Sequence, residues 1–206
     1  MKPSWRRCVP QLESYRSKIK LQDDGMSPHP DLRLRPYDTT NMIDVKVVFM
    51  GWNPYRNRKQ ATGFAFEANE GIHKPQELAT LHLMLIDDIK CRPPYRHSLR
   101  QWTEQGVLLI NRNIQRYKSS RGFFDHTESH TIQHRTLTHL DQSRRVFVFF
   151  GYSAQKLSVC ITRGLVIKLP YPHPHRLEEL KKAKLFSTIN KHLVKHNIKP
   201  IDWKLT

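Results

Sequence analysis

Four side chains of the kinds that handle a flat heterocycle follow apolar runs in this sequence. Asn53 and Tyr55 lie in "GWNPYR", Asn111 closes "VLLIN", and His173 sits in "PYPHPHRL". A carboxamide both donates and accepts, so Asn53 and Asn111 can read the polar edge of a base. Tyr55 and Phe66 offer flat faces, and stacking on an aromatic ring is worth ~1–3 kcal/mol per base. An imidazole can donate to an oxygen that gains negative charge, and His173 is stiffened between Pro172 and Pro174. Trp52 adjoins Asn53, and a basic collar of Arg56, Arg58, Lys59, Arg112, Arg116, Lys118, Arg121 and Arg176 surrounds the set. Together these residues suit a pocket for one nucleobase extruded from DNA.

Elements must bring those residues together. Four apolar runs, "VKVVFM" (45–50), "VLLI" (107–110), "VFVFF" (146–150) and "LVIKL" (165–169), are continuous rather than alternating. That pattern predicts strands covered on both faces. Between and after them, helical patterns cover 74–90, 126–142, 153–163 and 177–196, the last as one closing helix. Strands alternating with helices give an α/β fold, a three-layer α/β/α arrangement on a central four-stranded parallel sheet. Ligands of such sheets bind at the carboxyl ends of the strands. The rule gathers "GWNPYR", "NRNIQR" and "PYPHPHRL" on one rim. Residues 1–40 are polar and basic, with one helix near "VPQLESYRSKI", and read as an extension packed on a single domain spanning 1–206.

Charge narrows the partner. The 206 residues carry 35 Lys+Arg against 18 Asp+Glu, a formal +17. A field of that sign favours a polyanion, DNA above all. No apolar run approaches the ~20 residues of a membrane span, so no membrane partner is expected. No signal-peptide pattern opens the chain. A cytoplasmic site in a prokaryotic or viral context, or a nuclear one, is therefore expected, and a secreted one is not. Cys8, Cys91 and Cys160 are scattered and fall short of the four ligands of a structural zinc site. His126, His130 and His134 share a helical face, which reads as a polar stripe, solvated or facing DNA, rather than a metal site. The expectation is a monomer with no metal and no organic cofactor.

Five blocks, in order, carry a resemblance. "GWNPYR" (51–56) is followed three residues on by "QATGFAFE" (60–67); "QGVLLIN" (105–111), "FGYSAQK" (150–156), "HPHRLE" (173–178) and "PIDW" (200–203) come after. They resemble the GQDPYH…QAHGLAFS, QGVLLLN, WGxxAQK, HPSPLS and PIDW blocks of the uracil-DNA glycosylase family. The resemblance implies that Tyr55 stands against C5 of a pyrimidine, Phe66 stacks on the ring and Asn111 reads its polar edge. It implies that His173 donates to O2 of the leaving base and that Leu177 enters the duplex. Gln155 and Lys156 would lie near the DNA backbone, with His175 and Arg176 in the intercalating loop where the family has Ser-Pro.

The departures cluster around the base. Asn53 replaces the Asp that activates water, Arg56 replaces a His, and Trp52 replaces a Gln. A carboxylate ~4 Å from a sugar cation is worth about 4 kcal/mol at an effective dielectric near 20. Its loss corresponds to roughly 10³ in rate. Gly-x-Asn-Pro resembles the corresponding turn of mismatch-specific and single-strand-selective branches of the superfamily. The expectation is a monofunctional DNA glycosylase that hydrolyses the N-glycosidic bond and is weak on plain uracil. The bulk of Trp52 and Arg56 suggests a modified substrate, such as hydroxymethylated or glucosylated cytosine of viral DNA, and hence a defence role. The alternative is a catalytically silent DNA-binding or replication accessory protein.

Overall fold

The computed structural model describes residues 1–19, 25–116 and 126–205. Four strands, β1 (Val47–Gly51), β2 (Val107–Asn111), β3 (Val146–Phe150) and β4 (Leu165–Leu169), form one sheet in the order β2-β1-β3-β4. Every pairing is parallel, with Val47 opposite both Val107 and Val146, and Gly51 opposite Asn111. Nine helices accompany them among the described residues: α1 (Pro3–Cys8), α2 (Gln11–Ile19), α3 (Arg35–Thr39), α4 (Gln76–Ile89), α5 (Arg100–Thr103), α6 (Thr127–Leu140), α7 (Tyr152–Gln155), α8 (Leu177–Lys182) and α9 (Leu185–Lys195).

Successive side chains of a strand point to opposite faces. Val47 and Phe49 therefore join one apolar core with Leu81 and Leu85 of α4, Ile189 and Leu193 of α9, and Trp102 and Trp203. Val48 and Met50 join a second core with Trp5, Leu12 and Tyr15 of the N-terminal helices and Ile132 and Leu137 of α6. The sheet is thus covered on both sides, giving the three-layer α/β/α arrangement. The Trp5 indole donates to Thr40 O at 2.7 Å and the Tyr37 hydroxyl donates to Gln133 Oε1 at 2.7 Å, tying the N-terminal segment to the layer that contains α6. Among the described residues no helix is long and apolar enough to cross a membrane.

Three expectations need correction. Strands β1, β2 and β3 are buried throughout, but β4 is an edge strand whose Leu165, Val166 and Ile167 are half-buried and whose Lys168 is exposed. The closing helix is two helices, because Lys184 turns left-handed at φ 43° between α8 and α9. Carboxylates at the end of α4 fix that break: Asp87 accepts from Lys184 Nζ at 2.6 Å, and Asp88 accepts from Ser187 N at 2.9 Å and Ser187 Oγ at 2.7 Å. The helix expected over 153–163 is α7 followed by a 3-10 turn, Lys156–Cys160. Beyond it the chain is drawn to Asp141, whose carboxylate accepts from Thr162 N, Arg163 N and Gly164 N at 2.8–3.2 Å.

Candidate active site

The carboxyl ends of β1 and β2 meet at Gly51 and Asn111. A Cβ on Gly51 would lie 2.4 Å from Asn111 Oδ1 and 3.3 Å from the Phe66 ring, so only glycine lets the strand end approach that amide. The ladder then runs on: Arg112 N donates to Gly51 O at 2.9 Å and Asn113 N to Trp52 O at 3.0 Å. This pairing holds the loop after β1 against the chain leaving β2.

Asn53 is fixed by a second carboxamide. Its Oδ1 accepts from Asn113 Nδ2 at 2.7 Å, and Asn113 Oδ1 lies 2.9 Å from His130 Nε2 on α6. One lone pair of the Asn53 oxygen is thereby engaged and a second stays open to water, while Nδ2 remains a donor. Asn111 is only 8% exposed. Its backbone oxygen accepts from Gln133 Nε2 at 2.8 Å, and among the described residues its side-chain amide at the cavity wall has no hydrogen-bond partner.

Aromatic groups complete the chamber. The Tyr55 hydroxyl donates to Phe66 O at 2.9 Å. Burial, then the charges of Glu77, Tyr171 and Glu67, push that hydroxyl well above its ordinary pKa, so it stays a neutral donor. Phe66 holds a left-handed backbone, φ 68°, and its ring meets Phe150 edge-on at 4.9 Å. A non-glycine residue there costs of order 1–3 kcal/mol, and the Tyr55 clamp and the Phe150 contact retain it.

Asn53, Tyr55, Phe66, Asn111 and Tyr171 surround an enclosed cavity of about 10 Å³, room for about one water molecule. Tyr171 and Asn53 also face an open cleft of about 510 Å³, shared with Trp52, Arg56, Glu77 and Arg116. Tyr171 thus forms part of the wall between the two spaces. Its hydroxyl donates to Glu77 Oε1 at 3.4 Å, and burial followed by Glu77 raises its pKa. A comparably large cavity, about 560 Å³, lies by the amino ends of the strands near Lys46, Gly106 and Arg145, away from these groups.

The structure therefore gathers Asn53, Tyr55, Phe66 and Asn111 around one chamber, with Trp52 and Arg56 at the adjoining cleft. His173 lines neither space. It caps the turn Pro174–Arg176, with Nδ1 accepting from His175 N at 3.4 Å, and its ring stacks on His175 at 4.9 Å. Arg176 pairs with Glu179 at 2.8 Å, and Leu177 is half-buried at the start of α8. Gln155 Nε2 donates to Leu169 O at 2.8 Å, and Lys156 Nζ lies 4.8 Å over the Tyr152 ring. Lys118 and Arg121 fall outside the described residues. Among the described residues, no three His, Cys, Asp or Glu side chains converge as metal ligands.

Sequence reasoning passed over Asn113, His130, Glu77 and Tyr171. Asn113 had a signal, since it follows Asn111 by two residues and so shares its side of an extended chain. His130 stood out only as one of a histidine stripe.

No family model matches the chain. The uracil-DNA glycosylase of Geobacillus kaustophilus is 33% identical over 198 residues, covering 94% of this chain and 84% of the relative. That of Desulfitobacterium hafniense is 31% identical over 187 residues, covering 86% and 82%. The crystal structure of mimivirus uracil-DNA glycosylase superposes with a TM-score of 0.85 at 22% identity, over 100% of this chain and 87% of that one. A variant of mimivirus UNG in complex with UGI gives 0.86 at 21%, over 100% and 89%.

Proposed function

Because the chain belongs to the uracil-DNA glycosylase family of hydrolytic DNA N-glycosylases, we propose that it draws a pyrimidine out of DNA, hydrolyses its N-glycosidic bond and leaves an abasic site. The substrate is uracil or a pyrimidine bearing a substituent, such as hydroxymethylated or glucosylated cytosine of viral DNA, which would give the enzyme a part in defence. One observation carries this reading: the chamber ringed by Asn53, Phe66 and Asn111 shares a wall with a cleft of about 510 Å³. That volume lies in the range of small-ligand sites and can take a group carried by the base.

The chamber holds about one water as it stands. A base enters as Tyr171 swings aside, stacks on Phe66 and offers its polar edge to the Asn111 amide. The free lone pair of Asn53 Oδ1 holds the attacking water. A neutral amide gives the sugar cation less help than a carboxylate. Donors must therefore support the departing base, and His173, whose Nδ1 accepts from His175 N so that Nε2 carries the proton, can serve once its ring turns toward the chamber. Among the described residues no lysine lines either space; the proposed reaction is hydrolysis without a Schiff base, leaving an abasic strand that breaks only in alkali.

The test is excision from matched oligonucleotides carrying uracil, hydroxymethylcytosine or glucosylated hydroxymethylcytosine, scored as alkali-labile breaks. Breaks at a modified cytosine support the finer assignment; breaks at uracil alone end it. Asn53→Asp is expected to raise uracil excision by up to ~10³, the rate equivalent of a carboxylate beside the sugar cation.

A further inference from the structure

The cleft beside the chamber holds two large aromatic rings whose faces a plain uracil in the chamber would leave free. Trp52 comes from the loop after β1 and is 47% exposed; Tyr152 opens α7 after β3 and is 76% exposed. Single exposed aromatics are ordinary, but a pair lining one concave space marks a binding surface. Among the described residues neither ring stacks on another ring, and the Tyr152 face meets only the Lys156 ammonium at 4.8 Å. Two guanidinium groups line the same cleft. Arg56 has no protein partner among the described residues, and Arg116 gives one bond, to Pro54 O, at 3.4 Å. Glu77, on the same wall, offers a carboxylate that can accept from the exocyclic amine of a base.

Flat rings interleaved with cations are how proteins hold an unpaired strand: the rings take bases and the cations take phosphates. We propose that this cleft is a second nucleotide subsite, which stacks the unpaired base next to the extruded one on Trp52 and Tyr152 while Arg56, Arg116 and Lys156 meet its phosphates. The inference rests on the reading of the adjoining chamber as the base-excision site. Inside a duplex the neighbouring base is already stacked and paired, so the subsite stays empty there. The subsite accordingly adds affinity for a base held in a single strand, or beside a gap or bubble, and none for one in continuous duplex.

Trp52 reports on the subsite directly, because Trp5, Trp102 and Trp203 are buried at 0–2% exposure. The probe is a single-stranded oligothymidylate carrying one uracil. Its counterparts bear a baseless tetrahydrofuran residue on each side of the uracil in turn, and a duplex of the intact strand is the comparison. Binding of the intact strand should quench tryptophan emission. Tyr152→Ala should weaken that binding by about fivefold to 150-fold, the equivalent of one stacked base, while Tyr152→Phe keeps it. Removing the neighbouring base should cost as much and abolish the effect of Tyr152→Ala. Affinity for duplex should change by less than about twofold. Both rings are exposed, so unchanged thermal unfolding of the variants is expected and excludes a folding defect. The proposal is overturned if Tyr152→Ala and Trp52→Ala bind the intact strand as the parent does, or if single strand and duplex lose equally. A parent protein that excises no base removes the reading beneath, whereas quenching and the Tyr152 effect report the subsite by themselves.

Discussion

At the turn after β1, one carboxamide steers another. Asn113 Nδ2 donates to Asn53 Oδ1 at 2.7 Å, and His130 Nε2 stands 2.9 Å from Asn113 Oδ1. Asn53 cannot then flip its amide without losing that bond, so the oxygen's second lone pair keeps one direction for water. Asn113→Ala should lower kcat on single-stranded substrate about tenfold, as expected for a misaligned nucleophile. Single-turnover rates set beside DNA dissociation constants would check this, the latter changing little. The same donor suits a carboxylate, which is why Asn53→Asp is expected to be tolerated. Asn53, Tyr55, Phe66 and Asn111 were legible because residue type and place at a strand end agreed. Tyr171 was not: nothing in "LPYPHP" says that a ring will stand between two cavities, since that depends on Gly151 and Glu77 across the sheet.

Elements show the same division between local and distant causes. Strands β1, β2 and β3 follow their apolar runs closely, because every one of their residues is buried. β4 and β2 both lie at an edge of the sheet, yet β2 is buried throughout and β4 is not, so the difference lies in what the surrounding chain covers, which composition does not tell. The break at Lys184 depends on Asp87 and Asp88, which lie far away in sequence. Asp141 is the firmest of these distant devices, joining the end of α6 to the start of β4. Burial alone would raise its pKa, but hydrogen bonds from Thr162, Gly164 and Arg163 outweigh it and bring the value to about 2. An unfolded Asp titrates near 3.9. With the folded value depressed, the stabilisation is complete above ~4 and fades as the pH falls toward 2. Asp141→Asn should cost about 1–3 kcal/mol at neutral pH and flatten the loss of stability between pH 4 and 2. Urea unfolding at pH 7 and at pH 3 would measure both.

Over the whole molecule, a formal +17 sets how strongly DNA is held, and the site decides what is done to it. Charge and the polyanionic partner were evident from composition, but its distribution was not. Arg145 is 4% exposed and gives its guanidinium to the backbone oxygens of Val45, Leu140 and Met42, so it contributes to the fold rather than to DNA. Arg56, Arg116, Lys156 and Arg176 lie at or beside the rim. If each neutralises one phosphate of a single strand, log affinity for it should fall with log salt at a slope of about −3. Anisotropy titrations over a range of potassium chloride would give it, and a slope near zero would rule out the rim as the contact face.

The chamber draws on residues 53 to 66 after β1, on Asn111 at the end of β2 and on Tyr171 after β4. Its floor is built on the most buried strands and its door hangs from the least protected one. Edge segments of this kind open locally at lower free energy than the interior. Mild urea should therefore extinguish excision while the circular dichroism of the helices persists, and dilution should restore turnover without a refolding lag. Repair capacity in this protein would then fade gradually under stress, ahead of collapse.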